Sequence, residues 1–163
     1  MKILGEFHRS GDVIERRFTS SERRMLTNLT RGVVEAMAAA DDPAALDDPV
    51  LQRLLPDAFP DDAEANAEFT SATRARLAES KSEGARRLAA DLAAAPNGVV
   101  RLDPDEAVVW VKALGDVRLA LAERAGIDAV QHDVRTPQGL MYAWLTWLQG
   151  SLVEVIDPTL IDS

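Results

Sequence analysis

Arg118 is the residue of this chain hardest to reconcile with an apolar core. The spacing predicts a helix from 104 to 125 in which Val117, Trp110, Leu121, Leu114, Ala107, Ala125 and Val111 form the inward arc. Arg118 projects between Leu114 and Val111, inside that arc. A guanidinium taken out of water needs a carboxylate or several carbonyls, because its desolvation costs several kcal/mol. The acidic stretch Asp57, Asp61, Asp62, Glu64, Glu68 is the obvious supplier. Two chemistries are compatible with the pattern. One is a buried ion pair of Arg118 with Asp57, Asp61, Asp62 or Glu68 that fixes how segments dock. The other is an anion-binding arginine in a cleft, since perturbed charges gather at functional sites.

The remaining candidates point to little chemistry. His8 and His132 have no second His at helical spacing and no carboxylate at metal-ligand spacing. Asp57, Asp61 and Asp62 do not follow the order of a calcium loop, and helix capping by Asp61 and Asp62 accounts for them. The glycines show neither a phosphate-loop nor a dinucleotide spacing, and no serine sits in a nucleophile elbow. No catalytic residue, metal ligand or cofactor-binding residue is assigned, and no cofactor is expected. Arg16, Arg17, Arg23, Arg24 and Arg31 form a basic cluster. Arg17, Arg24 and Arg31 recur every seven residues and could line a stripe for phosphates. Glu15 and Glu22 interleave with them, and no aromatic platform accompanies them, so a solvated face is the cheaper reading.

The elements that must position these residues are mostly helical. The 163 residues suit one domain with a real core. Ala is abundant while aromatics are only 5%, which favours closely packed helices over a sheet of β-branched residues. There is no cysteine, so thiolate chemistry and Cys-based zinc sites are excluded. The net charge of −9 disfavours non-specific binding to nucleic acid. It is uneven: residues 41–70 hold nine acids against one Arg, whereas residues 71–90 hold five bases against two acids. No apolar run approaches the ~18–20 residues of a membrane span, and Met1 to Glu6 do not resemble a secretory signal. A cytoplasmic protein without membrane association is expected.

Residues 2–8 and 12–18 flank the turn signal Ser10-Gly11-Asp12 and predict a β-hairpin. A hairpin alone is marginal in water, and Val99-Val100-Arg101-Leu102 is the candidate third strand. Thr19 and Glu22 make a capping box for a helix from about 21 to 40. Asp48-Pro49 starts a short helix that ends before Pro56. Asp61 and Asp62 cap another through Phe69. Thr73 is placed to cap a helix to about Ala95, with Leu77, Ala85, Leu88 and Leu92 inward. Asp103-Pro104-Asp105-Glu106 opens the helix that Gly126 stops. Thr136-Pro137 opens the last one, closed by Asp157-Pro158. The expected fold is mainly α, about five helices in a bundle with a small N-terminal antiparallel hairpin and a short third strand at 99–102. It forms a single domain over 1–163: hairpin 1–18, helical bundle 19–156, tail 157–163. Trp110, Leu114, Leu121, Met141, Trp144, Leu148 and Leu152 should form the core with Met25, Leu29 and Val33.

The last helix is unusually apolar. Trp147, Leu140, Trp144, Leu148, Met141, Leu152, Leu145 and Ile156 cover roughly 180° of its circumference, where a surface helix needs little more than ~100°. It is therefore either central in the bundle or covered on a second side by a partner. Ala143 and Gly150 lie outside that arc on one face, where small residues admit a close neighbour. Ala143, Trp147 and Gly150 are the candidate interface, and self-association as a homodimer or a protein partner is expected there.

Three ordered motifs carry a family resemblance. They are Arg53-Leu54-Leu55-Pro56-Asp57-Ala58-Phe59 with Asp61-Asp62 and Glu68-Phe69; Ala113-Leu114-Gly115-Asp116-Val117-Arg118-Leu119-Ala120-Leu121 before Gly126-Ile127; and Tyr142-Ala143-Trp144-Leu145-Thr146-Trp147-Leu148-Gln149. Together they resemble the actinobacterial domain of unknown function twenty-seventeen. Where that family tends to have Asn in the second motif, this chain has Gly115. The resemblance implies a stand-alone cytoplasmic protein without an established activity, whose family genes often lie beside that of the Clp protease adaptor. Family members are sometimes described as transcriptional regulators. The expectation is a non-catalytic interaction or regulatory module. The alternative is a DNA-binding regulator that uses Arg17, Arg24 and Arg31.

Overall fold

The computed structural model describes residues 5–45, 47–55, 73–127 and 135–157. The chain opens with strands β1 (His8–Ser10) and β2 (Val13–Arg17), joined at Gly11-Asp12. Helices α1 (Ser20–Ala38) and α2 (Pro49–Leu54) follow, with a 3-10 turn at Pro43–Ala45 between them. Then come α3 (Ala75–Ala94), β3 (Val99–Leu102), α4 (Pro104–Ala125) and α5 (Pro137–Ile156). The described residues thus form five α-helices and one sheet of order β1-β2-β3, antiparallel throughout. The fold is mainly α with an N-terminal hairpin, and the third strand falls at 99–102. The predicted helix through Phe69 lies outside the described residues.

The caps explain where the helices begin. Thr19 Oγ1 accepts from Glu22 N at 3.1 Å while Glu22 Oε1 accepts from Thr19 N at 2.9 Å. Asp103 and Glu106 repeat this reciprocal pair at the start of α4, which ends at Gly126. Thr136 caps α5 through Gly139 N. The predicted cap at Thr73 is not made: Arg74 precedes α3 with helical backbone angles and no side-chain cap.

The helix in contact with most of the molecule is α4, which touches α1, α2, α3, α5, β2 and β3. Its Trp110 is fully buried under the sheet, with ring centroids 6.1 Å from Phe7 and 5.8 Å from Phe18. Trp110 Nε1 donates to Asp91 Oδ2 at 2.8 Å, so the polar atom of the largest core residue is satisfied. Leu114, Leu121, Leu148, Leu152 and Val33 are buried as the periodicity requires. Met25, Leu29, Met141 and Trp144 are only partly buried and pack at the margin of the core. Leu77, predicted inward, is 36% exposed on a groove between α3 and α4.

Candidate interaction site

The last helix is not the centre of the bundle. It packs on α4 and on the edge strand β1. Its buried positions are Gly139, Tyr142, Leu145, Leu148 and Leu152, a stripe at helical spacing. That stripe is turned away from the apolar arc that counting predicts. Leu140, counted inward, is 60% exposed, and Tyr142 is buried in its stead. The stripe Leu140, Ala143, Trp147, Gly150 runs along the outer side at i, i+3, i+7, i+10, with Leu140 and Gly150 exposed and Ala143 and Trp147 half-buried. Gly150 is exposed, with no atom within 4 Å of a side chain placed there.

Trp144 and Trp147 are held by Arg16. Its guanidinium lies 4.3 Å from the Phe18 ring centroid, 5.6 Å from that of Trp144 and 6.0 Å from that of Trp147. Arg16 is only 2% exposed. Its Nη1 and Nη2 donate to Glu22 at 3.3 and 3.0 Å, and its Nε donates to the Gly5 carbonyl. Burial pushes the Glu22 carboxyl up, but hydrogen bonds from Arg16 and Thr19 and the Arg16 charge outweigh this and hold it below its ordinary range. Gly5 closes the site: a side chain there would stand 3.1 Å from Trp147 Cη2. Thus one edge of the Trp147 indole is packed inward, while Leu140 and Gly150 face outward.

Arg118 explains the rotation of α5. Its Nη1 donates to Gln149 Oε1 at 2.5 Å and its Nη2 to the Tyr142 hydroxyl at 3.3 Å, with the Tyr142 ring 5.2 Å away. Gln149 Nε2 in turn donates to the Val111 carbonyl at 2.8 Å. These polar groups need one another, so Tyr142 and Gln149 face α4 where an apolar count sends other residues. Arg118 Nε is buried and has no acceptor among the described residues. Asp57, Asp61, Asp62 and Glu68, the expected partners, lie outside the described residues. A side chain at Gly115 would stand 3.1 Å from Gln149 Nε2, so this position keeps the amide in place.

A family model described as a domain of unknown function, DUF2017, matches residues 4–156. The chain belongs to that family. No curated protein and no solved structure matches it. Two of the motifs that suggested DUF2017 meet in space: Arg118 of the second grips Tyr142 and Gln149 of the third. These motifs therefore mark the α4–α5 junction of this DUF2017 chain. Asp116, also in the second motif, faces the other way. Its Oδ1 accepts from Lys81 Nζ at 2.6 Å across α3 and α4. Burial pushes the Asp116 carboxyl up, against the hydrogen bond and charge of Lys81. The pair lies in a groove of about 580 Å³ lined by Leu77, Gly84, Val109 and Ala113 as well.

The arginine recurrence does not make one helical stripe. Arg17 belongs to β2, and α1 begins at Ser20. Arg24 and Arg31 are exposed on the outer face of α1, where Glu35 follows one turn on. His8 is a cross-strand partner of Glu15, with Nε2 3.0 Å from Oε1, and His132 lies outside the described residues. Among the described residues no three His, Cys, Asp or Glu gather as metal ligands, and no helix is long and apolar enough to cross a membrane. Sequence reading placed Arg16 in a solvated basic cluster and missed its burial. The signal was present: alternation on β2 puts Arg16 on the same face as Ile14 and Phe18, a charge between two core positions.

Proposed function

We propose that this DUF2017 protein is a non-catalytic interaction module that docks a protein partner through the outer stripe of α5. The observation that carries the reading is Leu140, 60% exposed, at the head of the stripe it shares with Ala143, Trp147 and Gly150. An apolar line over three helical turns is the geometry of a helix–helix seam. Arg16 and Gly5 hold Trp147 on its inner edge, which lowers the conformational entropy lost on docking. The setting that the family resemblance implies, beside a protease adaptor, suits a protein that acts by contact.

A photo-crosslinking residue at position 140 tests this in the producing cell, with position 105 on the exposed start of α4 as control. A discrete protein adduct is expected from 140, absent from 105 and abolished by Trp147→Ser. Equal adducts at both positions, or none at 140, would overturn the reading.

A further inference from the structure

We propose that the occupant of this face is a second copy of the chain, with the two α5 helices packed antiparallel about a two-fold axis at the level of Leu145. The inference rests on the reading of α5 as a docking face. The stripe alternates in size: Leu140 large, Ala143 small, Trp147 large, Gly150 none. Leu140 and Gly150 lie equidistant from Leu145, and so do Ala143 and Trp147. The two-fold therefore sets exposed Leu140 over the partner's open Gly150, and the outer edge of half-buried Trp147 over the partner's Ala143. The hole at Gly150 is open, since nothing of its own chain lies within 4 Å of a side chain placed there. A parallel pairing would instead set Leu140 against Leu140 and leave a void between two glycines.

Charge favours the same orientation. Exposed Glu154 follows Gly150 on this face near the C-terminal end of α5. In the antiparallel pair it reaches the N-terminal end of the other α5, where the helix dipole is positive. In the parallel pair Glu154 would meet Glu154. Isologous contact of one patch with itself is the commonest way soluble chains assemble. The seam is short, about 15 Å along the helix, which is small against the ~800 Å² per partner of a stable interface. A Kd of micromolar order is expected.

The chain has no cysteine, so single cysteines report the register cleanly. An equimolar mixture of Leu140→Cys and Gly150→Cys proteins, treated with a short bis-maleimide, should give a covalent dimer. Each variant alone should give none, because its own two copies stand about 15 Å apart along the axis. By sedimentation the parent chain should dimerise at micromolar concentration. Gly150→Leu should weaken this at least tenfold while raising the melting temperature, since leucine is the better helix former and its space is open. Leu140→Ala with Gly150→Leu, which exchanges large and small, should restore association. Cross-linking of Leu140→Cys with itself, or undiminished association of Gly150→Leu, would overturn the antiparallel pair. If the parent chain stays monomeric while position 140 still captures another protein in the cell, the docking face stands and its self-pairing falls. If both fail, both fall.

Discussion

Asp116 is 8% exposed, and its carboxylate accepts from the Lys81 ammonium at 2.6 Å. Removing one member of such a pair leaves the other charge stranded, which costs more than the pair is worth. Lys81→Met should therefore lower stability at neutral pH by roughly 1–3 kcal/mol, less than for a fully buried pair. The sign with pH follows from the raised carboxyl. A group whose folded pKa lies above its unfolded value contributes stability below the unfolded pKa and loses it as pH rises through the folded one. Without Lys81 the folded pKa rises further, so the penalty should shrink as pH falls toward the ordinary Asp range. Urea unfolding of parent and variant at neutral and acid pH checks this; an equal penalty at both would contradict it. Arg16 shows a different solution to burial. It has a carboxylate, a carbonyl and three aromatic faces around it, and no single residue supplies its whole environment.

At the scale of elements, the link from α3 to β3 sets where the sheet sits. Gly98 has φ +79°, and a side chain there would come within 2.5 Å of the Phe18 carbonyl oxygen. The same stretch is tied by Phe18 N donating to Gly98 O at 2.8 Å. Gly98→Ala should cost about 2 kcal/mol or more, through both the left-handed backbone and the clash. Gly126→Ala, with φ +65° but open space, should cost about 1 kcal/mol. Chemical denaturation of both variants tests the order; a reversed order would mean that the Phe18 contact yields easily. Capping boxes and Gly126 were legible because their partners lie within a few residues. The orientation of α5 was not, since Tyr142 and Gln149 turn inward for a residue more than twenty positions away.

Across the whole molecule, sheet and helices share one apolar core. Phe7 and Phe18 lie on Trp110 of the central helix, and Ile14, Val100 and Leu102 close the same side. Phe18→Ala should lower stability by roughly 3–5 kcal/mol. Because the sheet is part of that core, the helical circular-dichroism signal and the tryptophan fluorescence should shift to lower denaturant together. A fluorescence change that precedes loss of helix would instead show the sheet to be an appendage.

Local events were legible from the residues alone. Thr19 with Glu22, Asp103 with Glu106, Gly126 and the apolar run at Val99–Leu102 placed α1, α4 and β3 within one or two residues, since each signal is complete within one or two turns; the first hairpin arm, expected at 2–8, lies at His8–Ser10 instead. The sequence also carried the family, through motifs that now locate the α4–α5 junction. Which side of an apolar helix faces inward emerged only from the packing. Periodicity counts apolar residues and is blind to a guanidinium that recruits a tyrosine and an amide, as Arg118 does, or one that lies under two tryptophans, as Arg16 does. Those long-range polar contacts turned α5, buried Tyr142, and left Leu140 facing outward.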